Sequence, residues 1–227
     1  MNFWPGILNA LKMILRFDPE MLRICFISVK VSLISTTLAT LIGVPLGLLI
    51  GSKNFYGRGL LRLILNSLLA VPTVVIGLFI YYLLSRQGAF GQLGLLYSQT
   101  AMVIGQFVLA TPLITALSLA AVENIDPRIK LTALTLGANR WQLFLTIISE
   151  KQYVLLAAVI AGFSRVFAEV GVSMILGGNI KGVTRNITTA IAFETGKGEF
   201  ELAIALGIIL LVIALIINLG LQLIRKK

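Results

Sequence analysis

The 227-residue chain is 58% hydrophobic and only 12% charged, with a formal net charge of +10. A water-soluble domain carries about twice that share of charged residues on its surface, so composition excludes one and points to a helical integral membrane protein. The excess of Lys and Arg reads as the positive-inside bias of membrane loops rather than as a nucleic-acid surface, and it also favours an anionic ligand.

Residues 1–20, MNFWPGILNALKMILRFDPE, place Asn2, Asn9, Lys12 and Arg16 on one helical face. Trp4, Ile7, Leu8, Leu11, Ile14 and Leu15 fall largely on the other. This predicts an amphipathic helix lying in the membrane interface, too short and too polar to span. No charged start followed by an apolar run and a small-residue cleavage site opens the chain, so no cleaved leader is expected.

Five apolar runs follow, near residues 22–50, 61–84, 98–122, 152–176 and 202–224. Each is close to or above the roughly 20 residues a helix needs to cross a bilayer. The single cysteine, Cys25, lies in the first run; it forms no internal disulfide, and without histidine the chain has no ordinary zinc site. Gly43, Pro45 and Gly47 interrupt the first run, Pro72 and Gly77 the second, and Gly105 and Pro112 the third. The residues leave open whether these mark close helix packing or kinks around a pathway.

Lys53, Arg58 and Arg62 separate the first and second runs; Arg128, Lys130, Arg140 and Lys151 separate the third and fourth; Arg225, Lys226 and Lys227 end the chain. Five spans put all three clusters on one side, expected to be cytoplasmic, with the N-terminus, the 85–97 loop and the 177–201 loop outside. Arg86, Lys181, Arg185 and Lys197 then face outward and weaken that asymmetry.

The longest polar interruption is ENIDPRIKLTALTLGANRWQLFLTIISE, residues 123–150. Asp126-Pro127 is a helix start, in which the carboxylate caps free N–H groups and proline takes the first position. A short helix over 127–136 is expected, ended by Gly137 in left-handed geometry. A second short amphipathic helix over 139–148 carries Trp141, Phe144, Leu145 and Ile148 on one side. Two helices bent at a glycine between spans read as a docking surface.

Lys30, Arg165 and Glu169 lie inside predicted spans, where charge is expensive and faces protein or a water-filled cavity. Arg165 and Glu169 are four apart and share a helix face, either as an internal ion pair or as the lining of a polar route. Lys30 either snorkels to the interface or presents charge to a passing anion. The segment GGNIKGVTRNITTAI, residues 177–191, offers backbone N–H groups and hydroxyls as a connecting loop, an outer mouth or a partner contact. Asn186-Ile187-Thr188 matches a glycosylation sequon, which is discounted here because the chain shows no sign of eukaryotic secretion. There is no G-x-x-x-x-G-K-[ST] loop and no catalytic constellation, so active transport would need its energy from another chain.

The stretch LTALTLGANRWQLF resembles the cytoplasmic coupling motif of ABC importer permeases. Leu131, Thr132 and Ala133 stand at its Glu-Ala-Ala positions and Gly137 at its glycine. SRVFAEVGVSMILGGNIKGVTRNITTAI resembles the molybdate and tungstate branch, with Arg165, Glu169, Gly171, Gly178, Asn179, Ile180, Gly182 and Thr184 on its pattern. The continuation TTAIAFETGKGEFELAIALGIILL is closer to tungstate permeases. The resemblance, over residues 20–224, implies a type I ABC importer transmembrane fold without catalytic function of its own. It implies ATPase coupling through Ala133, Leu136, Gly137, Ala138, Arg140 and Trp141. Pathway or gate roles fall to Lys30, Arg165, Glu169, Gly171, Gly178, Asn179 and Thr184. The implied partners are a second copy of the chain, two ATPase subunits holding ATP and Mg, and an external oxyanion-binding protein. This chain is expected to bind no cofactor itself.

Overall fold

A computed structural model describes residues 3–52 and 55–225, except for the side chains of residues 3–6, 127, 130, 140, 221 and 223–225. Every element among them is helical: α1 Phe3–Leu15, α2 Pro19–Ser52, α3 Arg58–Ala70, α4 Thr73–Leu84, α5 Gln99–Glu123, α6 Pro127–Thr135, α7 Arg140–Phe167, α8 Gly171–Gly177, α9 Ile187–Lys197 and α10 Phe200–Arg225, with one short 3₁₀ turn at Gly91–Leu93. Helices α2, α5, α7 and α10 are long and apolar enough to cross a membrane, and α3 with α4 forms a fifth crossing if the bent pair is one span.

The bundle is built on the pair α2 and α5, whose approach is set by small residues. A Cβ on Gly43 would stand 3.2 Å from Ile114, one on Gly47 2.6 Å from the Ser118 Cβ and the Thr115 carbonyl, and one on Gly51 2.8 Å from Val122. These glycines recur every fourth residue and form a stripe that lets two backbones come together without the hydrophobic effect, which lipid does not supply. Close packing therefore accounts for Gly43 and Gly47, while Pro45 stays inside a continuous helix. Gly105 does the same for α8, since a Cβ there would lie 2.4 Å from Val172.

Four expectations are corrected. The second run, 61–84, is not one straight span: α3 and α4 meet at 96°. Pro72 disfavours helix at the preceding residue, and Val71 is extended (φ −65°, ψ 129°). The second short helix, 139–148, and the fourth run, 152–176, are one helix, α7, because nothing between Ser149 and Lys151 breaks it. That helix stops at Phe167, and residues 171–177 form the separate α8. The 177–201 segment is not loop throughout, since the helix α9 occupies residues 187–197.

Helix α1 rests on α10. Ala10 is fully buried in a cluster with Met21, Ile187 and Leu206, and Asn9 donates to the Glu201 carboxylate at 2.7 Å. Leu8, Leu11 and Leu15 remain exposed, and the described side chains do not include Asn2 or Trp4.

Candidate functional site

Two places combine unusual backbone geometry with polar or exposed side chains, one at each end of the bundle. The first is the elbow between α6 and α7. Asp126 caps α6 by accepting the Arg128 N–H at 2.9 Å, as its sequence position predicts. Gly137 ends α6 at φ +79°. The Ala138 N–H reaches the Ala133 carbonyl and the Gly137 N–H the Leu134 carbonyl, both at 3.0 Å, which closes the last turn as a Schellman motif. Asn139 then starts α7 with a reciprocal capping box: its Oδ1 accepts the Gln142 N–H and its own N–H reaches Gln142 Oε1, both at 2.8 Å. Two caps back to back leave Gly137 and Ala138 between them, so the angle between the helices is specified locally.

The elbow exposes apolar surface where the chain is otherwise polar. Leu136 is 82% exposed, Trp141 66% and Leu131 61%, with Trp141 stacked on Phe144 at 5.5 Å. Ala133 and Ala138 are half-buried. Arg140 heads α7, but its side chain lies outside the described residues. Nearby, Glu123 accepts from Arg58 at 2.7 Å and also from Arg62, tying the start of α3 to the end of α5.

The second place is at the opposite end, where α7 breaks. Glu169, 4% exposed, accepts the Val172 N–H at 3.3 Å and so caps α8. Its other oxygen lies 3.5 Å from Arg165, the pair that the i, i+4 spacing suggested. Gly171 allows α8 to approach α4, since a Cβ there would stand 3.1 Å from Val74.

The chain then turns tightly. Gly178 is left-handed (φ +68°) against the Tyr97 ring, and Asn179 is left-handed too (φ +50°). Thr184 Oγ1 accepts the Ile180 N–H at 2.9 Å and donates to the Gly177 carbonyl at 2.5 Å, stapling the turn. The Asn179 amide is buried with no hydrogen-bond partner among the described residues. Lys30 donates to Gln99 Oε1 at 3.0 Å, and Gln99 donates to the Val183 carbonyl at 2.7 Å, so Lys30 is joined to this turn. Thr188 Oγ1 reaches the Glu169 carbonyl at 2.8 Å and joins it to the α7 break. The structure thus gathers Lys30, Glu169, Gly171, Gly178, Asn179 and Thr184 at one end of the bundle, and gives several of them capping or stapling work. Asn186 of the sequon is buried as the N-cap of α9, its Oδ1 accepting the Thr189 N–H at 2.9 Å.

Two polar assemblies escaped the sequence reading. Arg185, almost fully buried, pairs with Glu194 at 3.0 Å and approaches Glu20 at 3.7 Å; Lys181 meets Glu20 at 2.6 Å and Lys197 meets Glu194 at 3.3 Å. In mid-bundle, Ser35 Oγ donates to Gln106 Oε1 at 3.1 Å and Gln106 Nε2 to Ser173 Oγ at 3.2 Å. A lone glutamine inside an apolar run was the available signal for the latter. Between Tyr81 and Tyr97, whose hydroxyls lie 3.3 Å apart, the hydrogen bond raises the Tyr97 pKa above its usual value.

Residues 43–227 match the family described as binding-protein-dependent transport system inner membrane component. The chain is 42% identical over 213 residues to the tungstate uptake system permease protein TupB of Peptoclostridium acidaminophilum, covering 94% of this chain and 93% of that protein. It is 31% identical over 177 residues to the molybdenum transport system permease protein ModB of Haemophilus influenzae, covering 74% and 77% respectively. Its fold superposes on a chain of the inward-facing MetNI methionine ABC transporter with a TM-score of 0.76 at 15% identity, over 93% of this chain and 97% of that one.

Proposed function

Because the chain belongs to the binding-protein-dependent transport system inner membrane component family, we propose that it is the permease subunit of an ATP-driven tungstate importer. The observation that carries the mechanism is the doubly capped elbow at Gly137, with Leu131, Leu136 and Trp141 bared on it. A separate ATPase subunit docks there. Because α7 continues from the elbow straight into the bundle, displacement of α6 is transmitted along one rigid helix to the break at Ala168–Val170. Two copies of the chain enclose the pathway, and an external binding protein supplies the anion. Lys30 and Arg165 reduce the cost of bringing a dianion to membrane depth without holding it tightly. ATP and Mg stay on the ATPase.

The elbow end is cytoplasmic and the N-terminus external in this reading. Support comes from the opposite end, where Lys181, Arg185 and Lys197 are matched by Glu20 and Glu194, which removes much of the outward positive excess. A Cys25→Ser, Trp141→Cys protein tests the orientation: a membrane-impermeant thiol reagent should label it only in inverted vesicles, and labelling of intact cells overturns the assignment. Molybdate is the second reading, favoured by the likeness to the molybdenum permease. Vesicles holding the chain with its ATPase and binding protein should accumulate tungstate only with ATP, with competition from excess molybdate and none from sulfate. Absence of ATP-dependent accumulation refutes the function.

A further inference from the structure

A cleft of about 760 Å³ opens between α5, α7 and α10 at the elbow end of the bundle. Its rim is polar: Asn124, Lys151, Asn218 and Gln222. Its walls are apolar and small, chiefly Ala120, Ala121, Ala157, Ala158 and Ala161, with Leu117 and Val154. From Asn124 to Leu117 along α5, and from Lys151 to Ala161 along α7, the cleft runs about 10–15 Å toward the membrane interior. None of these residues has a part in the elbow or the α7 break.

We propose that this cleft binds one anionic glycerophospholipid, its phosphate at Lys151 and an acyl chain along the alanine walls. Lys151 spends one of its three N–H bonds on the Asn124 carbonyl at 3.1 Å, and no carboxylate pairs with it among the described residues. Two N–H bonds and the full charge remain for an acceptor. Asn218 and Gln222 are four apart and share a face of α10, so their amides border the same rim. The charge lies at the elbow end of the cleft and the apolar walls lie further along α5 and α7 into the bundle, the order in which a phospholipid presents headgroup and tail. Basic hollows between transmembrane helices near the cytoplasmic surface are suited to such headgroups. A free tetrahedral oxyanion shares the headgroup chemistry but fills only a small part of the cleft and makes no use of the alanine walls.

The test uses the full-length chain in detergent micelles, with native mass spectrometry after addition of phosphatidylglycerol or phosphatidylcholine of identical acyl chains. The wild type should retain one phosphatidylglycerol per chain, about fivefold over phosphatidylcholine, the scale of one lysine near an anionic headgroup. Lys151→Gln should remove that preference and Lys151→Arg keep it. Ala161→Leu, which fills the wall, should reduce retention of both lipids, and it carries the test if Lys151→Gln does not fold. Equal retention by wild type and Lys151→Gln, or by wild type and Ala161→Leu, overturns the proposal. So does displacement of phosphatidylglycerol by excess tungstate or inorganic phosphate, which would make this a free-anion site.

Discussion

Alanine at Gly137 isolates the elbow from everything around it. The residue sits at φ +79°, and a Cβ built there meets nothing within 4 Å, so the cost is backbone strain alone. An L-residue in the left-handed region is disfavoured by about 1–2 kcal/mol. Gly94 is a matched control at the far end of the bundle: φ +59°, again with nothing within 4 Å of an added Cβ. Gly94→Ala and Gly137→Ala should therefore lower thermal stability in detergent by similar amounts. Their effects on transport should differ. Strain at Gly137 is relieved by giving up the turn that links Ala138 to Ala133, which lowers the population of the native elbow roughly 5- to 30-fold relative to its alternatives. In vesicles with the ATPase, Gly137→Ala should hydrolyse ATP but lose most tungstate accumulation, while Gly94→Ala keeps it. Equal accumulation by the two variants refutes the coupling role.

Gly47→Ala forces a Cβ to within 2.6 Å of the Thr115 carbonyl and should cost roughly 1–3 kcal/mol by separating α2 from α5, read as a drop in melting temperature. Glu194→Gln replaces the charged partner of the buried Arg185 guanidinium with a neutral amide, leaving Glu20 at 3.7 Å as its nearest carboxylate, and should destabilise by roughly 3 kcal/mol. Gln106→Leu strips Ser173 of its partner and Ser35 of one of two acceptors; a loss of about 1–3 kcal/mol should appear in the same assay, and an unchanged melting temperature would refute the network.

Features that depend on a few neighbouring residues were legible in the sequence. Asp126-Pro127 and Gly137 announced a capped helix and its end because both signals act on backbone groups one to four residues away. The pairing of Arg165 with Glu169 followed from helical spacing for the same reason. The Asn186 cap was equally local, but it was overshadowed by its resemblance to a sequon, and a helix was missed. The junction of α6 with α7 was half-read: its glycine was clear, but the continuation of α7 through Ser149–Lys151 depends on the absence of any breaker.

Hydrophobic content and local signals determined by themselves that this chain is a set of apolar membrane helices and where the polar elbow between α6 and α7 interrupts them, since lipid solvation and local caps need no distant partner. Only the tertiary structure decided that Gly43, Gly47 and Gly51 face α5, that Gln106 joins α2 to α8, and that Arg185 shares its charge with Glu20 and Glu194. Those contacts link residues up to 165 positions apart (185 − 20), and their energy comes from close approach and neutralised charge, which exist only once the helices have chosen their neighbours.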